Sequence, residues 1–214
     1  MYVAVSGNIG SGKTTLTSKL AKHYGWTAEF EAVDNNPYLA DFYTDMQRWA
    51  FHLQIYFLNS RFKQITDIAR RNHTTIQDRT IYEDAYIFAA NLYKSHLLSE
   101  RDYQNYLNLF HSMVSHAKAP DLLIYLRADI PKLVSQIQKR GRAYEDAIRL
   151  DYLKNLNAHY EDWIGHYRLG RLLVIDVNNM DFVANVEDFA SIVEKIDVEL
   201  NGLFSTAPAQ KGLF

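Results

Sequence analysis

A glycine-rich octet, Gly7-Asn8-Ile9-Gly10-Ser11-Gly12-Lys13-Thr14, stands almost at the start of the chain, directly behind the apolar run that begins at Tyr2. This is the Walker A pattern, and its context imposes the order strand, phosphate loop, helix. Gly7, Gly10 and Gly12 let the backbone turn its N–H groups inward, and the helix that follows presents its positive end. Lys13 can then reach the β and γ phosphates of a nucleotide, and Thr14 can hold Mg²⁺. Asn8, Ile9, Ser11 and Thr15 complete the expected lining of a nucleoside-triphosphate site. An ordinary glycine turn would leave Lys13 without a purpose.

With 214 residues the chain can bury one sizeable core, so a single domain over residues 1–204 is expected, followed by a loose tail at 205–214. The balance of 23 basic against 25 acidic residues gives no electrostatic reason to bind nucleic acid. No apolar stretch could span a bilayer and no signal-peptide pattern is visible, so a cytoplasmic protein is expected. Cysteine is absent, which excludes a disulfide framework and thiolate metal sites. The eight histidines show no metal-ligand spacing.

Short apolar runs at 2–6, 27–31, 75–77, 122–126 and 172–176 alternate with helical patterns at 13–24, 49–71, 80–93, 100–118, 130–141, 148–167 and 185–203. Such alternation predicts an α/β fold, a five-stranded parallel sheet flanked by helices. The fourth and fifth runs are apolar at nearly every position, as expected of strands covered on both faces. Functional groups should gather at the strands' carboxyl ends. In the long helix, Phe51, Ile55, Leu58, Phe62, Ile65 and Ala69 form an expected core stripe. Gln54, Phe57 and Arg61 share a neighbouring stripe, because seven residues return a helix to within about 20° of the same direction.

The acceptor of a phosphoryl group must be sought at the other strand ends. Glu31 closes the second run, and Asp78-Arg79 follow the third; if both strands flank the first, all three emerge beside the phosphate loop. Phosphoryl transfer needs a base for the hydroxyl proton, oxygens for a metal and a cation over the transferring group. Glu31, Asp78 and Arg79 supply one candidate for each, with Glu31 a further candidate for the metal. Thr80-Ile81-Tyr82-Glu83 is a capping box that starts the next helix. On that helix Asp84 and Phe88 recur at four-residue spacing and can line a pocket for a planar, hydrogen-bonding ligand. Lys139-Arg140-Gly141-Arg142 is a second basic cluster with a glycine break, able to close over a triphosphate, and Glu145 follows within reach.

These residues resemble the deoxynucleoside kinases related to deoxycytidine, deoxyguanosine and mitochondrial thymidine kinases. The likeness spans about 200 residues: the octet, the Glu31 segment, 48–61, 78–84, 86–93, Arg140-Gly141-Arg142 and Asp176-Val177-Asn178. In wording it is most similar to bacterial members described as deoxyadenosine kinases. The resemblance implies an α/β P-loop kinase fold with a short arginine-bearing lid, ATP as donor and Mg²⁺ as cofactor. It implies that Glu31 activates the nucleoside 5′-hydroxyl, Asp78 helps hold the metal and Arg79 positions hydroxyl and phosphoryl. Gln54, Arg61 and Asp84 would read the base edge, with Phe57 beside them and Phe88 stacking on the base. Tyr43 and Glu145 would hold the 3′-hydroxyl, Arg140 and Arg142 would form the lid, and the loop after Asp176 would lie near the donor adenine. A homodimer through the long helices 49–71 and 100–118 is implied as well.

Two positions depart from the pattern. Asp78 stands where several animal members carry glutamate, and Gln136 where some carry another lid arginine. The expected activity is 5′-phosphorylation of a deoxynucleoside, deoxyadenosine first, with deoxyguanosine and deoxycytidine as alternatives. A nucleoside monophosphate kinase and a non-catalytic nucleotide switch are the rival readings; Glu31 would repel the extra phosphate of the one, and the Gln54/Arg61 and Asp84/Phe88 stripes argue against the other.

Overall fold

The computed structural model describes residues 1–31, 36–142, 145 and 148–202. The chain divides into two compact units, Met1–Asn178 and Asn179–Phe214. The first holds five parallel strands in the order β2-β3-β1-β4-β5: β1 Tyr2–Gly7, β2 Thr27–Glu29, β3 Thr75–Asp78, β4 Leu122–Arg127 and β5 Arg171–Asp176. Val5 pairs with Asp78 on one side of β1 and Gly7 with Leu126 on the other. This register brings the start of the phosphate loop level with the carboxyl ends of β3 and β4.

Position in the sheet explains how each strand differs from expectation. β1 and β3 are buried along their whole length, as central strands covered by helices should be. β5 is an edge strand, and only Ile175 in it is fully buried, although its sequence reads as apolar as that of β4. β2 stops at Glu29, two residues earlier than expected, and pairs with β3 rather than with β1. Glu31 therefore reaches the site from irregular chain beyond an edge strand.

Helix α1 (Lys13–Tyr24) follows the phosphate loop and ends on Gly25 in the left-handed region. The unexpected α2 (Leu39–Thr44) leads into α3 (Met46–Ala69), where the Asp45 side chain accepts from Arg48 N–H. The buried face of α3 is Ala50, Leu53, Gln54, Leu58, Arg61, Ile65 and Ile68. This corrects the expected core stripe: Phe51, Ile55 and Phe62 are only half-buried and Ala69 is exposed, whereas the polar Gln54 and Arg61 lie inside.

The segment expected as one helix over 80–93 is three pieces. The capping box forms, with Thr80 N–H donating to the Glu83 carboxylate at 2.8 Å, and opens the short α4 (Ile81–Glu83). A π-helical stretch follows at Asp84–Ala89, closed by Ala90 N–H reaching back to the Ala85 carbonyl, before α5 (Ala90–Lys94). Such wide turns are rare and gather at functional sites. Both Asp84 and Phe88 sit on this one. Helices α6 (Glu100–Val114), α7 (Ile130–Arg140) and α8 (Leu150–Gly165) complete the unit.

The second unit contains α9 (Val186–Asn201). Asn185 caps it, and Glu187 and Asp188 place negative charge on its first turn. The tail expected at 205–214 lies outside the described residues.

Candidate active site

Phosphate binding begins with what α1 leaves open. Its N-cap is Gly12, with no side-chain cap and no acidic residue in the first turn, so its leading N–H groups and positive end are uncovered. Gly10 adopts φ 87°, and a Cβ there would come within 2.7 Å of the Leu133 carbonyl oxygen on α7. Glycine is required at this position by both backbone angle and space. Lys13 folds over the loop, its ammonium donating to the Asn8 carbonyl at 2.9 Å. Burial lowers its pKa to about 8, with Arg79 adding to the shift against Asp78, Glu83 and Glu31. The Asn8 side chain serves as a strut, donating to Leu153 O at 3.2 Å and to Asn157 Oδ1 at 3.1 Å on α8.

Beside the loop lies a cavity of about 620 Å³, a size that suits a small-molecule site. Ile9, Gly10, Lys13, Thr14 and Thr15 line it from the phosphate loop and the start of α1. Glu31, Tyr43, Gln54, Phe57, Asp84 and Phe88 line it as well. Asp78 and Arg79 face it from the end of β3, Arg140 from the last turn of α7, and Arg142 and Glu145 from the segment that follows. Most of the site residues expected from the sequence thus meet in one space, whereas Gly7, Asn8, Ser11 and Gly12 of the loop are not part of the lining.

Three expectations fall differently. Arg61 does not line the cavity; it lies behind it, with Nη2 2.7 Å from Glu31 Oε1 and Nε 2.7 Å from Asp84 Oδ2. Its Nη1 also donates to the carbonyls of Asp78 and Arg79, at 3.2 and 3.4 Å. Asp176 is exposed at the end of β5, accepts from Asn178 N–H at 2.9 Å and takes no part in the lining. Phe88 lines the cavity, but its ring already carries the Arg79 guanidinium, 4.3 Å from the centroid.

The carboxylates are differentiated by their surroundings. Burial alone would raise the Glu31 pKa, but Arg79, Arg61 and Lys13 outweigh it and hold the group down at about 2. Asp84 shares Arg61 but lies deeper, so burial prevails and its pKa is pushed up to about 6. The kcat/KM for any acceptor that donates to an ionised Asp84 is therefore expected to fall as the pH drops below about 6. A pH–rate profile measured between pH 5 and 8 checks this, and an Asp84→Asn variant should lose the step.

Thr14 Oγ1 donates to Asp78 Oδ2 at 2.5 Å, while Asp78 Oδ1 is buried without a partner among the described residues. That orphaned oxygen, beside a threonine hydroxyl and the phosphate loop, suits a hard divalent cation such as Mg²⁺. Glu31 faces two guanidinium groups instead, with Arg79 Nε 3.5 Å from its Oε1. At the end of α7 and just beyond it, Glu145 accepts from Arg140 Nε at 3.0 Å and lies 3.7 Å from Arg142 Nη1.

Two features escaped the sequence. Leu39 and Phe42 on α2 and Tyr152 on α8 line the cavity, and no motif announces them. Glu83, recognised only as a local cap, is fully buried and also accepts from Tyr160 OH on α8 at 2.9 Å. The hint was its place within the Asp78-to-Asp84 run, where a carboxylate adjoins catalytic candidates.

The deoxynucleoside kinase family model matches residues 3–201. The chain is 39% identical to the deoxyadenosine/deoxycytidine kinase of Bacillus subtilis (strain 168) over 196 residues, 91% of this chain and 90% of that protein. It is 40% identical to the deoxyadenosine kinase of Dictyostelium discoideum over 194 residues, 90% of this chain and 78% of that one. Among solved structures, the deoxyadenosine kinase of M. mycoides with products dCMP and a flexible dCDP bound superposes with a TM-score of 0.83 at 30% identity. The alignment covers 92% of this chain and 99% of that one. The agreement extends from the phosphate loop past the last strand of the sheet and takes in the residues that line the cavity. The chain belongs to the deoxynucleoside kinase family.

Proposed function

We propose that the protein transfers the γ-phosphoryl group of ATP to the 5′-hydroxyl of a deoxynucleoside, deoxyadenosine before others. The observation that carries this reading is the meeting of Glu31, Asp78 and Arg79 with Lys13 and Thr14 in the lining of one cavity. The same cavity offers Gln54, Asp84 and Phe88. Glu31 takes the 5′-hydroxyl proton while that oxygen attacks phosphorus in line and ADP leaves. Lys13, Arg79, Arg140 and Arg142 hold the phosphate charge, so catalysis is mostly positioning and charge stabilisation. Thr14 and Asp78 would hold Mg²⁺, which supplies charge neutralisation at the phosphates. Glu31, gripped by two guanidinium groups, serves the acceptor rather than the ion.

Ionised Asp84 accepts from the exocyclic amino group of the base, and Gln54 completes the base edge. Tyr43 and Glu145 hold the 3′-hydroxyl, and Asp176 marks the loop on the donor-adenine side. A single kinase domain over 1–204 belongs to the same reading, supported by the family match over 3–201. Four deoxynucleosides and four ribonucleosides assayed with ATP and Mg²⁺ test the proposal. Deoxyadenosine should rank among the best acceptors and exceed its own monophosphate; a preference for the monophosphate overturns the nucleoside kinase reading. Deoxycytidine is the second acceptor to expect, because it too presents an exocyclic amino group to Asp84.

A cytoplasmic location and the absence of nucleic-acid partners belong to the same proposal; no helix among the described residues is long and apolar enough to cross a membrane. A homodimer through α3 and α6 also belongs to it. The half-buried Phe51, Ile55 and Phe62, with Tyr86 and Leu109 exposed nearby on the same hydrophobic cluster or its helices, support this. Light scattering should give about twice the 24.9 kDa chain mass. A monomer at micromolar concentration would contradict it.

A further inference from the structure

Glu31 lies two residues beyond the end of β2, and Phe30 before it is 41% exposed, so no core side chain anchors this piece of backbone. Besides Arg79 at the end of β3, what holds it comes from α3. Arg61 grips the Glu31 carboxylate, and Gln64, one turn further on the same helix, donates from Nε2 to the Phe30 carbonyl at 2.7 Å.

Gln64 is itself held from inside the sheet. Its Oε1 accepts from Gln77 Nε2 at 3.0 Å, and Gln77 Oε1 accepts from the hydroxyl of Tyr2. The direction of this chain is not free. A carbonyl can only accept, so Gln64 must present its NH₂ to Phe30 and its oxygen to Gln77. Gln77 must then turn its own oxygen to Tyr2, whose hydroxyl donates. Burial raises the Tyr2 pKa, which keeps that proton in place. Tyr2 on β1 and Gln77 on β3 are both buried. The relay therefore ties the backbone before Glu31 to the two central strands that also carry the phosphate loop and Asp78.

We propose that Gln64 is a positioning residue for phosphoryl transfer, fixing Glu31 relative to the phosphate loop through the chain Tyr2–Gln77–Gln64–Phe30. The proposal rests on the reading of Glu31 as the base. Small displacements of a catalytic group are costly, about 10²-fold in rate for about 1 Å. The outer end of the relay is exposed to solvent, so its removal should leave the fold intact.

The test is steady-state kinetics of Gln64→Ala, Glu31→Gln and the double variant with deoxyadenosine and ATP, alongside thermal melting. Gln64→Ala should lower kcat by about 5- to 20-fold, with the nucleoside KM within about twofold and an unchanged melting profile. In the Glu31→Gln background the same substitution should cost almost nothing, because the group it positions is already gone. Wild-type kcat in Gln64→Ala, together with a large loss in Glu31→Gln, overturns the relay and leaves the base reading standing. An equal fractional loss in both backgrounds also overturns it, since that is what general loosening of the fold produces. Wild-type turnover in Glu31→Gln removes both.

Discussion

Glu31→Gln should lower kcat by about 10²- to 10⁴-fold while changing the nucleoside KM by no more than a few-fold, as steady-state assays with deoxyadenosine would show. The amide is nearly isosteric and can keep accepting from Arg61 Nη2, the closest contact of the carboxylate at 2.7 Å. It cannot take a proton. The low pKa of Glu31, about 2, marks a group held ionised by Arg79, Arg61 and Lys13 against the cost of burial. Such a carboxylate is a weak base in the free protein, which suits a loose phosphoryl-transfer transition state in which orientation of the hydroxyl matters more than early proton removal. The same shift makes a stability statement. Its folded pKa lies below the ordinary value of 4.5, so the contribution is present above about pH 4.5 and fades as the pH falls towards 2. Glu31→Gln should lack that part of the acid dependence. Turnover that survives the substitution would remove Glu31 from the mechanism.

Arg79→Ala and Arg79→Gly should both abolish most activity, by about 10³-fold or more, since either removes the cation between Glu31 and the phosphate loop. Their stabilities should differ. Arg79 adopts φ 70°, one of two non-glycine residues in the left-handed region among those described. That conformation costs a side-chain-bearing residue about 1–2 kcal/mol, which glycine does not incur. Its N–H donates to the Val5 carbonyl at 2.9 Å, and Arg61 Nη1 holds its carbonyl, so the turn is fixed from both sides. The glycine variant should therefore be more stable than the alanine variant by about 1 kcal/mol in chemical denaturation, although both are inactive. Equal stabilities would mean that the turn relaxes once the guanidinium is gone. Retained activity in either variant would mean that Arg79 serves the fold rather than the reaction.

The reading from sequence succeeded where local chemistry leaves few choices. The octet at Gly7–Thr14 could only be a strand-loop-helix junction, and the Thr80/Glu83 capping box forms as spaced. It failed where tertiary placement overrides pattern. β5 reads like β4 but lies at the sheet edge, so its apolar residues are only partly covered. In α3 the apolar stripe drew attention to Phe51, Ile55 and Phe62, while the helix buries Gln54 and Arg61. A hydrophobicity pattern cannot foresee that a guanidinium will be buried, because the two carboxylates that make this tolerable come from 30 positions before and 23 after it.

The sequence by itself determined the phosphate loop and the parallel α/β class, and it supplied the candidate groups for the proposed phosphoryl transfer. The loop depends on residues adjacent in the chain, and the class on the alternation of locally readable apolar runs and helical patterns. The tertiary structure alone decided where those groups stand relative to one another. It placed Arg61 behind the cavity as a bridge, left Asp78 Oδ1 open for a cation and brought Arg79 over Phe88. It also separated the two acids, with Glu31 among three cations and Asp84 in deeper burial. The physical reason is that a side chain's charge, reach and partners depend on what surrounds it in space, and those neighbours come from distant parts of the chain.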